Sequence, residues 1–110
     1  MKLPAMAFSV GKFAEAELTH ETGTTGRSQS RTIVAGELRL RWIEYGPGYL
    51  ADHWCDRGHV FYLLSGEVVI ELEDGRAYPL AAGQSFQVSD HGDAAHRVRT
   101  QAGGTAFIVD

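Results

Sequence analysis

From residue 31 onward, hydrophobic and polar residues alternate with a period of two. Leu38, Leu40 and Trp42 alternate with charged residues, which is the pattern of a half-buried β-strand. Further strand-like stretches follow at short intervals, over residues 59–64, 68–72, 77–80, 85–88, 96–100 and 105–109. No stretch has the periodicity of a helix. This spacing predicts an all-β fold, either a sandwich or a single small barrel, of which the jelly roll is one kind.

Glycine-rich and polar stretches separate the predicted strands. Asp74-Gly75 is a hairpin signal, and Ser65-Gly66-Glu67 predicts a tight reversal between two strands. Residues 20–30 are almost entirely polar and lack apolar anchors, so we expect a loop there. The chain is therefore divided into an N-terminal arm and polar loop packed on the barrel, residues 1–30, and the barrel itself, residues 31–110.

Length, composition and charge exclude several classes of protein. The 110 residues suit one domain, and a hydrophobic fraction of 44% can fill its core. A net charge of -4 without a basic cluster argues against a nucleic-acid partner. The lack of an apolar run of about 18 residues argues against a membrane partner. The single cysteine, Cys55, excludes an internal disulfide and fits a reducing compartment, so we expect a cytoplasmic protein.

Three histidines and the cysteine form the candidate chemical site. His53 and Cys55 are two residues apart on a predicted strand, so both are expected on the same face. A tight connection over residues 56–58 would bring His59 opposite Cys55, close enough for both to bind one metal. His96 has the strand parity that places it inside the barrel. These four side chains are expected to hold one divalent transition metal at about 2.0–2.3 Å.

The stretch 48–59, followed by Gly66, resembles the first motif of the cupin superfamily. That motif has a glycine, a His-x-His pair, a glutamate a few residues later and a second glycine. His53 matches the first histidine, Cys55 stands in the place of the second, and His59 stands in the place of the glutamate. The resemblance implies a cupin-type barrel with a metal inside it.

The second cupin motif is matched less closely. Gly83, Ser89 and His96 resemble this motif, which ends in its single metal-binding histidine. Ser89 replaces the usual proline, and His96 lies two residues later than the family spacing, so the loop 89–93 must absorb an insertion. The string DHCW at residues 52–55 is similar to that of the small DHCW-motif cupin proteins. Without the glutamate, the nitrogen and sulfur ligands favour zinc, with iron, copper and nickel as alternatives.

Several alternatives stay open at this point. Cys55 could be a small core residue in a barrel that has lost its metal, and His91 could replace His96 as a ligand. Four protein ligands make a closed zinc site, whereas three leave a position for water or substrate. The expected function is a metal-binding domain with a small-molecule partner inside the barrel. The alternative is a small-molecule metalloenzyme, of oxygenase or isomerase type, with a three-histidine site.

Strand parity also predicts which residues face the barrel interior. The predicted pocket-lining residues are large and apolar, namely Leu40, Trp42, Phe61, Phe86 and Val98. The arginines of the same strands are expected outside, paired with acidic neighbours, namely Arg39, Arg41, Arg97 and Arg99.

The strand at 59–64 is apolar on both faces and therefore needs a second cover. Its outer face carries Val60, Tyr62 and Leu64. Either the N-terminal segment with Phe8 and Phe13 or a second subunit would cover these residues, and we expect a homodimer.

Overall fold

The structure, a computed structural model, describes residues 2–110 and contains eight β-strands. In chain order they are β1 (Leu18–Thr22), β2 (Arg27–Ala35), β3 (Leu38–Tyr45), β4 (His59–Leu72), β5 (Ala77–Ala81), β6 (Ser85–Val88), β7 (His96–Arg99) and β8 (Gly104–Val109). One 3-10 turn, Phe13–Glu15, precedes them. Residues 2–110 contain no α-helix, and none of their helical segments could cross a membrane. The all-β prediction is confirmed.

The long strand β4 joins the two halves of the fold. Its first half pairs with β6 and β8, and its second half pairs with β5 and β7, all antiparallel. On the other side of β8, the sheet continues through β3 and β2 to β1. The paired path begins at β1 and ends at β5, so hydrogen bonds do not close the sheet into a complete ring.

The reversal predicted at Ser65-Gly66-Glu67 is wrong. These residues lie within β4, where the pairing with β8 shifts register between Leu63 and Ser65. Gly66 adopts a left-handed φ of 79°, and a side chain there would collide with the Gly103 carbonyl. The strand bends at this bulge. It does not reverse, because it pairs with β6 and β8 before the bend and with β5 and β7 after it.

The polar segment 20–30 is also not a loop. β1 and β2 form a hairpin in which Thr22 pairs with Arg27, and β2 pairs with β3 along most of its length. Backbone hydrogen bonds to β3 hold these polar residues in a strand, although the sequence offers no apolar alternation. β2 therefore continues across the predicted division at residues 30 and 31.

The sheet formed by β3, β8 and β4 has an inner face that carries the core. Along β4, His59, Phe61 and Leu63 lie on this inner face as predicted, and Phe61 and Leu63 are almost fully buried. Their neighbours on β8 and β3 are buried as well. The core residues of these three strands are Ile43, Tyr45, Phe61, Leu63, Ala106 and Ile108.

The parity predicted for β3 is inverted. Ile43 and Tyr45 are buried on the inner face, whereas Trp42 lies on the outer face and is 37% exposed. Leu40 shares the outer face, and Arg39 and Arg41 lie on the inner face, contrary to the prediction. Alternation distinguishes two faces of a strand without saying which one faces the core. The assignment failed because the inner face holds charged groups here, and an N-terminal aromatic residue covers part of the outer face.

That aromatic residue is Phe13, in the predicted N-terminal cover. Its ring lies 6.3 Å from the ring of Trp42 and 6.1 Å, edge to face, from that of Phe107. Phe8 is 95% exposed. The N-terminal segment therefore covers only part of the outer face, and the outer side chains of β4 remain exposed. We call these residues, Val60, Tyr62 and Leu64, the outer patch.

Candidate metal centre

Three of the four predicted ligands come together at one end of the inner face. The Cys55 sulfur and one ring nitrogen each of His59 and His96 lie within 4.8 Å of one another. Cys55 Sγ and His59 Nε2 are 3.5 Å apart, and the rings of His59 and His96 meet edge to face at 4.9 Å. The group is partly or fully buried, with His96 only 5% exposed.

The spacing of these atoms suits a tetrahedral metal. Zinc with ordinary bond lengths of about 2.3 Å to sulfur and 2.0–2.1 Å to nitrogen places the two ligand atoms about 3.6 Å apart. The observed distance of 3.5 Å between Cys55 Sγ and His59 Nε2 matches this value. In addition, His96 Nε2 is buried without a hydrogen-bond partner within residues 2–110. A buried polar atom without a partner is costly, and a bound metal would satisfy it.

Backbone hydrogen bonds explain why Cys55 and His96 meet. The two residues form an antiparallel bridge with both N–H···O bonds at 2.8 Å. The loop 89–93 then reaches back to the segment before β4. There, His91 N–H donates to the Asp56 carbonyl, and Gly58 N–H donates to the carboxylate of Asp90. This loop absorbs the two-residue insertion, so the late position of His96 in the sequence does not displace it from the site.

His53, the fourth predicted ligand, lies apart from the group. Its side chain is 75% exposed, and Nδ1 lies 2.7 Å from the carboxylate of its neighbour Asp52. The predicted shared face of His53 and Cys55 required a strand, but residues 51–58 form bends with one isolated bridge at Cys55. His91, the alternative to His96, is exposed and contacts Asp56. The structure therefore does not form the predicted three-histidine group.

A carboxylate that sequence analysis missed lies behind His59. Asp110 Oδ2 is 2.8 Å from His59 Nδ1, and the Asp110 side chain is only 6% exposed. The negative charge of this carboxylate lies close enough to His59 to favour a proton on Nδ1. Arg39 and Arg41 donate to the same carboxylate at 2.7–3.1 Å. Carboxylates in this position orient metal-binding histidines and fix their tautomer.

The electrostatics favour neutral histidines and an ionised Asp110. Burial lowers the pKa of His59; Asp110 partly opposes this effect and Arg41 adds to it. Burial also lowers the pKa of His96, as does the nearby His59. Burial by itself would raise the pKa of Asp110, but Arg41 and Arg39 outweigh it and hold that pKa below its usual value. A proton kept on His59 Nδ1 by Asp110 leaves the lone pair on Nε2, directed toward Cys55.

The candidate ligands line an open cleft of about 280 Å³. Of the predicted pocket residues, Phe61, Phe86 and Val98 line this cleft, whereas Leu40 and Trp42 lie on the other side of the sheet. Cleft residues that sequence analysis did not assign to the site include four arginines and two tyrosines, namely Arg39, Arg41, Arg57, Arg97, Tyr45 and Tyr49. His96 also lines a second cavity, of about 360 Å³, together with residues of β5 and β6. Among the residues that line this cavity, Asp93 is the one other side chain of a metal-ligating type.

A usable signal for one missed residue was present in the sequence. Ala106, Ile108 and Asp110 alternate along β8 and beyond it, so the buried Ala106 and Ile108 place Asp110 on the inner face. Asp110 also pairs through its backbone with Arg39, beside His59. The arginines gave no such signal, because an arginine is expected outside unless its partner is known.

Comparisons with solved structures agree with this architecture. Ectoine synthase from P. lautus superposes with a TM-score of 0.73 at 18% identity, over 93% of this chain and 76% of that one. An RmlC-like cupin from Shewanella frigidimarina superposes with a TM-score of 0.70 at 22% identity, over 94% of this chain and 90% of that one. A sugar phosphate isomerase of the cupin superfamily from Silicibacter pomeroyi superposes with a TM-score of 0.63 at 15% identity, over 74% of this chain and 57% of that one.

No family model matches the chain, and no curated protein matches it by sequence. The likeness is therefore one of structure, and at these identities it concerns the fold. The prediction drawn from the two motifs is confirmed at this level: the chain has the cupin fold.

Proposed function

We propose that Cys55, His59 and His96 bind one divalent transition metal, with zinc preferred. The observation that carries the proposal is the convergence of one ligand atom each from Cys55, His59 and His96 within 4.8 Å, at a buried place in the fold. His96 in addition has a buried Nε2 without a hydrogen-bond partner within residues 2–110. Two imidazoles and one thiolate are ligands that zinc accepts readily, and burial keeps both imidazoles neutral. Asp110 supports the set by orienting His59.

Three protein ligands leave one position of a tetrahedral zinc open. The ligands lie in the wall of a cleft, so a small molecule can reach that position. A closed site would need a fourth ligand, and His53 contacts Asp52 instead. The proposed function is thus a metal-binding domain that presents its metal to a small molecule.

Catalysis on that molecule is the second candidate function. The open position favours it, because catalytic zinc sites usually combine three protein ligands with a water or substrate. Cupin-fold neighbours include a synthase and a sugar phosphate isomerase, so the fold accommodates such chemistry. The metal would supply Lewis-acid polarisation, while Asp110 would hold His59 in place.

Titration with cobalt(II) tests the ligand set. Metal-free protein should bind one equivalent and show a near-ultraviolet thiolate-to-metal band, because a bound thiol is deprotonated. Cys55→Ser should abolish the band, and His96→Ala should weaken binding strongly. His53→Ala is the matched control, an exposed histidine two residues from Cys55, and should change neither band nor affinity.

The opposite results would contradict the proposal. If cobalt binds without a thiolate band and His53→Ala weakens binding as much as His96→Ala, the predicted three-histidine site is correct. If no metal binds at all, Cys55 is a core thiol.

We further propose that the outer patch forms a homodimer interface with a second copy of the chain. Val60, Tyr62 and Leu64 are 52%, 42% and 37% exposed, and Trp42 and Phe107 extend the apolar surface across β3 and β8. The exposed Phe8 provides a further apolar side chain that a second copy could cover.

A free thiol in the site also fits the reducing cytoplasm, and that location stays a prediction.

A further inference from the structure

The cleft beside the candidate ligands concentrates positive charge. Four of the chain's eight arginines line it, namely Arg39, Arg41, Arg57 and Arg97. Glu21 is the one acidic residue among the lining residues. The chain as a whole has a net charge of -4, so this local excess is opposite in sign to the rest of the molecule. A cleft of one sign attracts ligands of the other.

The ion pairs of the cleft leave part of this charge uncompensated. Arg39 and Arg41 share a single carboxylate, that of Asp110, at 2.9 and 2.7 Å. Arg97 pairs with Glu71 and also stacks 4.2 Å above the ring of Trp54. Arg57 has no ion-pair partner within residues 2–110. Even with Glu21 counted, the guanidinium groups outnumber the carboxylates.

Charge and apolar surface are arranged in order along the inner face. Arg39, Asp110 and His59 lie side by side at one end of the sheet. The next row contains Arg41, Ile108 and Phe61, which are register partners on β3, β8 and β4. Ile43 follows on β3, about 7 Å further along the strand. A ligand with one charged end and an apolar body would match this gradient.

We infer that the cleft binds a small organic carboxylate. The acid group lies toward Arg57 and Arg41, and the apolar body lies against the partly exposed apolar residues of the cleft, Phe86 and Ala51. Guanidinium groups match the planar geometry of a carboxylate, and the cleft volume of about 280 Å³ restricts the ligand to a small molecule. This inference rests on the proposed function insofar as the carboxylate would lie beside the open metal position.

Benzoate is the probe, with benzamide as a neutral molecule of nearly the same shape. Calorimetric titration of the metal-free and the zinc-loaded protein should give benzoate binding at least tenfold tighter than benzamide binding in both forms. Arg57→Gln should weaken benzoate at least tenfold, and Arg57→Lys should restore part of the loss. Arg99→Gln, the same charge change outside the cleft, should leave affinity within twofold.

Three results would overturn the inference. Equal binding of benzoate and benzamide would show that charge is not recognised. Equal losses in Arg57→Gln and Arg99→Gln would show a nonspecific effect of net charge. Inorganic phosphate binding as tightly as benzoate would remove the role of the apolar body. Failure of zinc to bind affects the proposed metal site alone, because the metal-free titration still decides whether the carboxylate site exists.

Discussion

The two faces of the sheet formed by β3, β8 and β4 use the same strands for different purposes. The inner face combines a buried apolar core with a cluster of charged and metal-ligating groups at one end. The outer face is apolar without being buried, since Val60 and Tyr62 remain about half exposed. On the inner face, the buried side-chain atoms without a hydrogen-bond partner within residues 2–110 are Arg41 Nε, His59 Nδ1 and His96 Nε2.

This difference teaches that exposure and polarity are set separately in this molecule. Arg41 is largely buried because Asp110 compensates its charge, and Tyr62 is exposed because no side chain within residues 2–110 covers it. Both positions depart from the usual rule that charges lie outside and apolar groups inside. The proposed binding site requires charge inside, and the proposed interface requires apolar surface outside.

The largest expected effect is a difference in stability between alanine substitutions at two adjacent leucines that lie on opposite faces of the sheet. Leu63 on the inner face is fully buried, and Leu64 on the outer face is 37% exposed. Leu63→Ala should lower the free energy of unfolding by about 2–5 kcal/mol, because it leaves a cavity in the core. Leu64→Ala should cost about 1 kcal/mol or less, since that side chain loses little burial. Urea unfolding of both variants measures the difference, and equal costs would contradict the assignment of the two faces.

The same contrast explains which parts of the fold could be predicted from sequence. The strand at residues 59–64 was placed correctly on both faces, because the candidate ligand His59 marked the inner face and the alternation placed Phe61 and Leu63 beside it. For Trp42 the alternation identified the strand but inverted its faces, because Phe13 covers Trp42 from a distance of 29 residues in sequence. Local patterns cannot report such a long-range contact, so the parity of β3 required the three-dimensional structure.

The metal centre was predicted in part for a related reason. Cys55, His59 and His96 were identified by motif register, and the backbone bridge between Cys55 and His96 brings two of them together. His53 was misplaced because its position depended on a strand that residues 51–58 do not form.

The second prediction concerns the charged end of the inner face. Asp110→Asn should weaken cobalt or zinc binding about 10–100-fold, because an amide orients and polarises His59 less effectively than a carboxylate does. Competition with a chelator of known affinity measures this loss, and a shift of the cobalt spectrum would show altered ligation beyond simple destabilisation. Asp52→Asn, beside the exposed His53, is the control and should leave affinity unchanged.

The third prediction concerns the covered part of the outer face. Phe13→Ala should lower the free energy of unfolding by about 1–2 kcal/mol, because it removes the aromatic contacts to Trp42 and Phe107. Acrylamide should then quench Trp42 fluorescence more strongly. Phe8→Ala should change stability by no more than about 0.5 kcal/mol, since Phe8 is 95% exposed. Equal losses from both substitutions would mean that the whole N-terminal segment packs on the domain.

The last prediction concerns the uncovered part of the outer face and has the smallest effect on the fold of the single chain. Tyr62→Glu should change the unfolding free energy measured at high dilution by about 0.5 kcal/mol or less, because Tyr62 is 42% exposed. At micromolar concentration the wild type should sediment at twice 12.0 kDa and Tyr62→Glu at 12.0 kDa, because a charge buried without a partner disrupts an apolar interface. Tyr78→Glu, a comparable exposed tyrosine on β5, should still sediment as a dimer. A wild-type chain that sediments as a monomer would leave the outer patch without a second copy to cover it, and the homodimer proposal would be wrong.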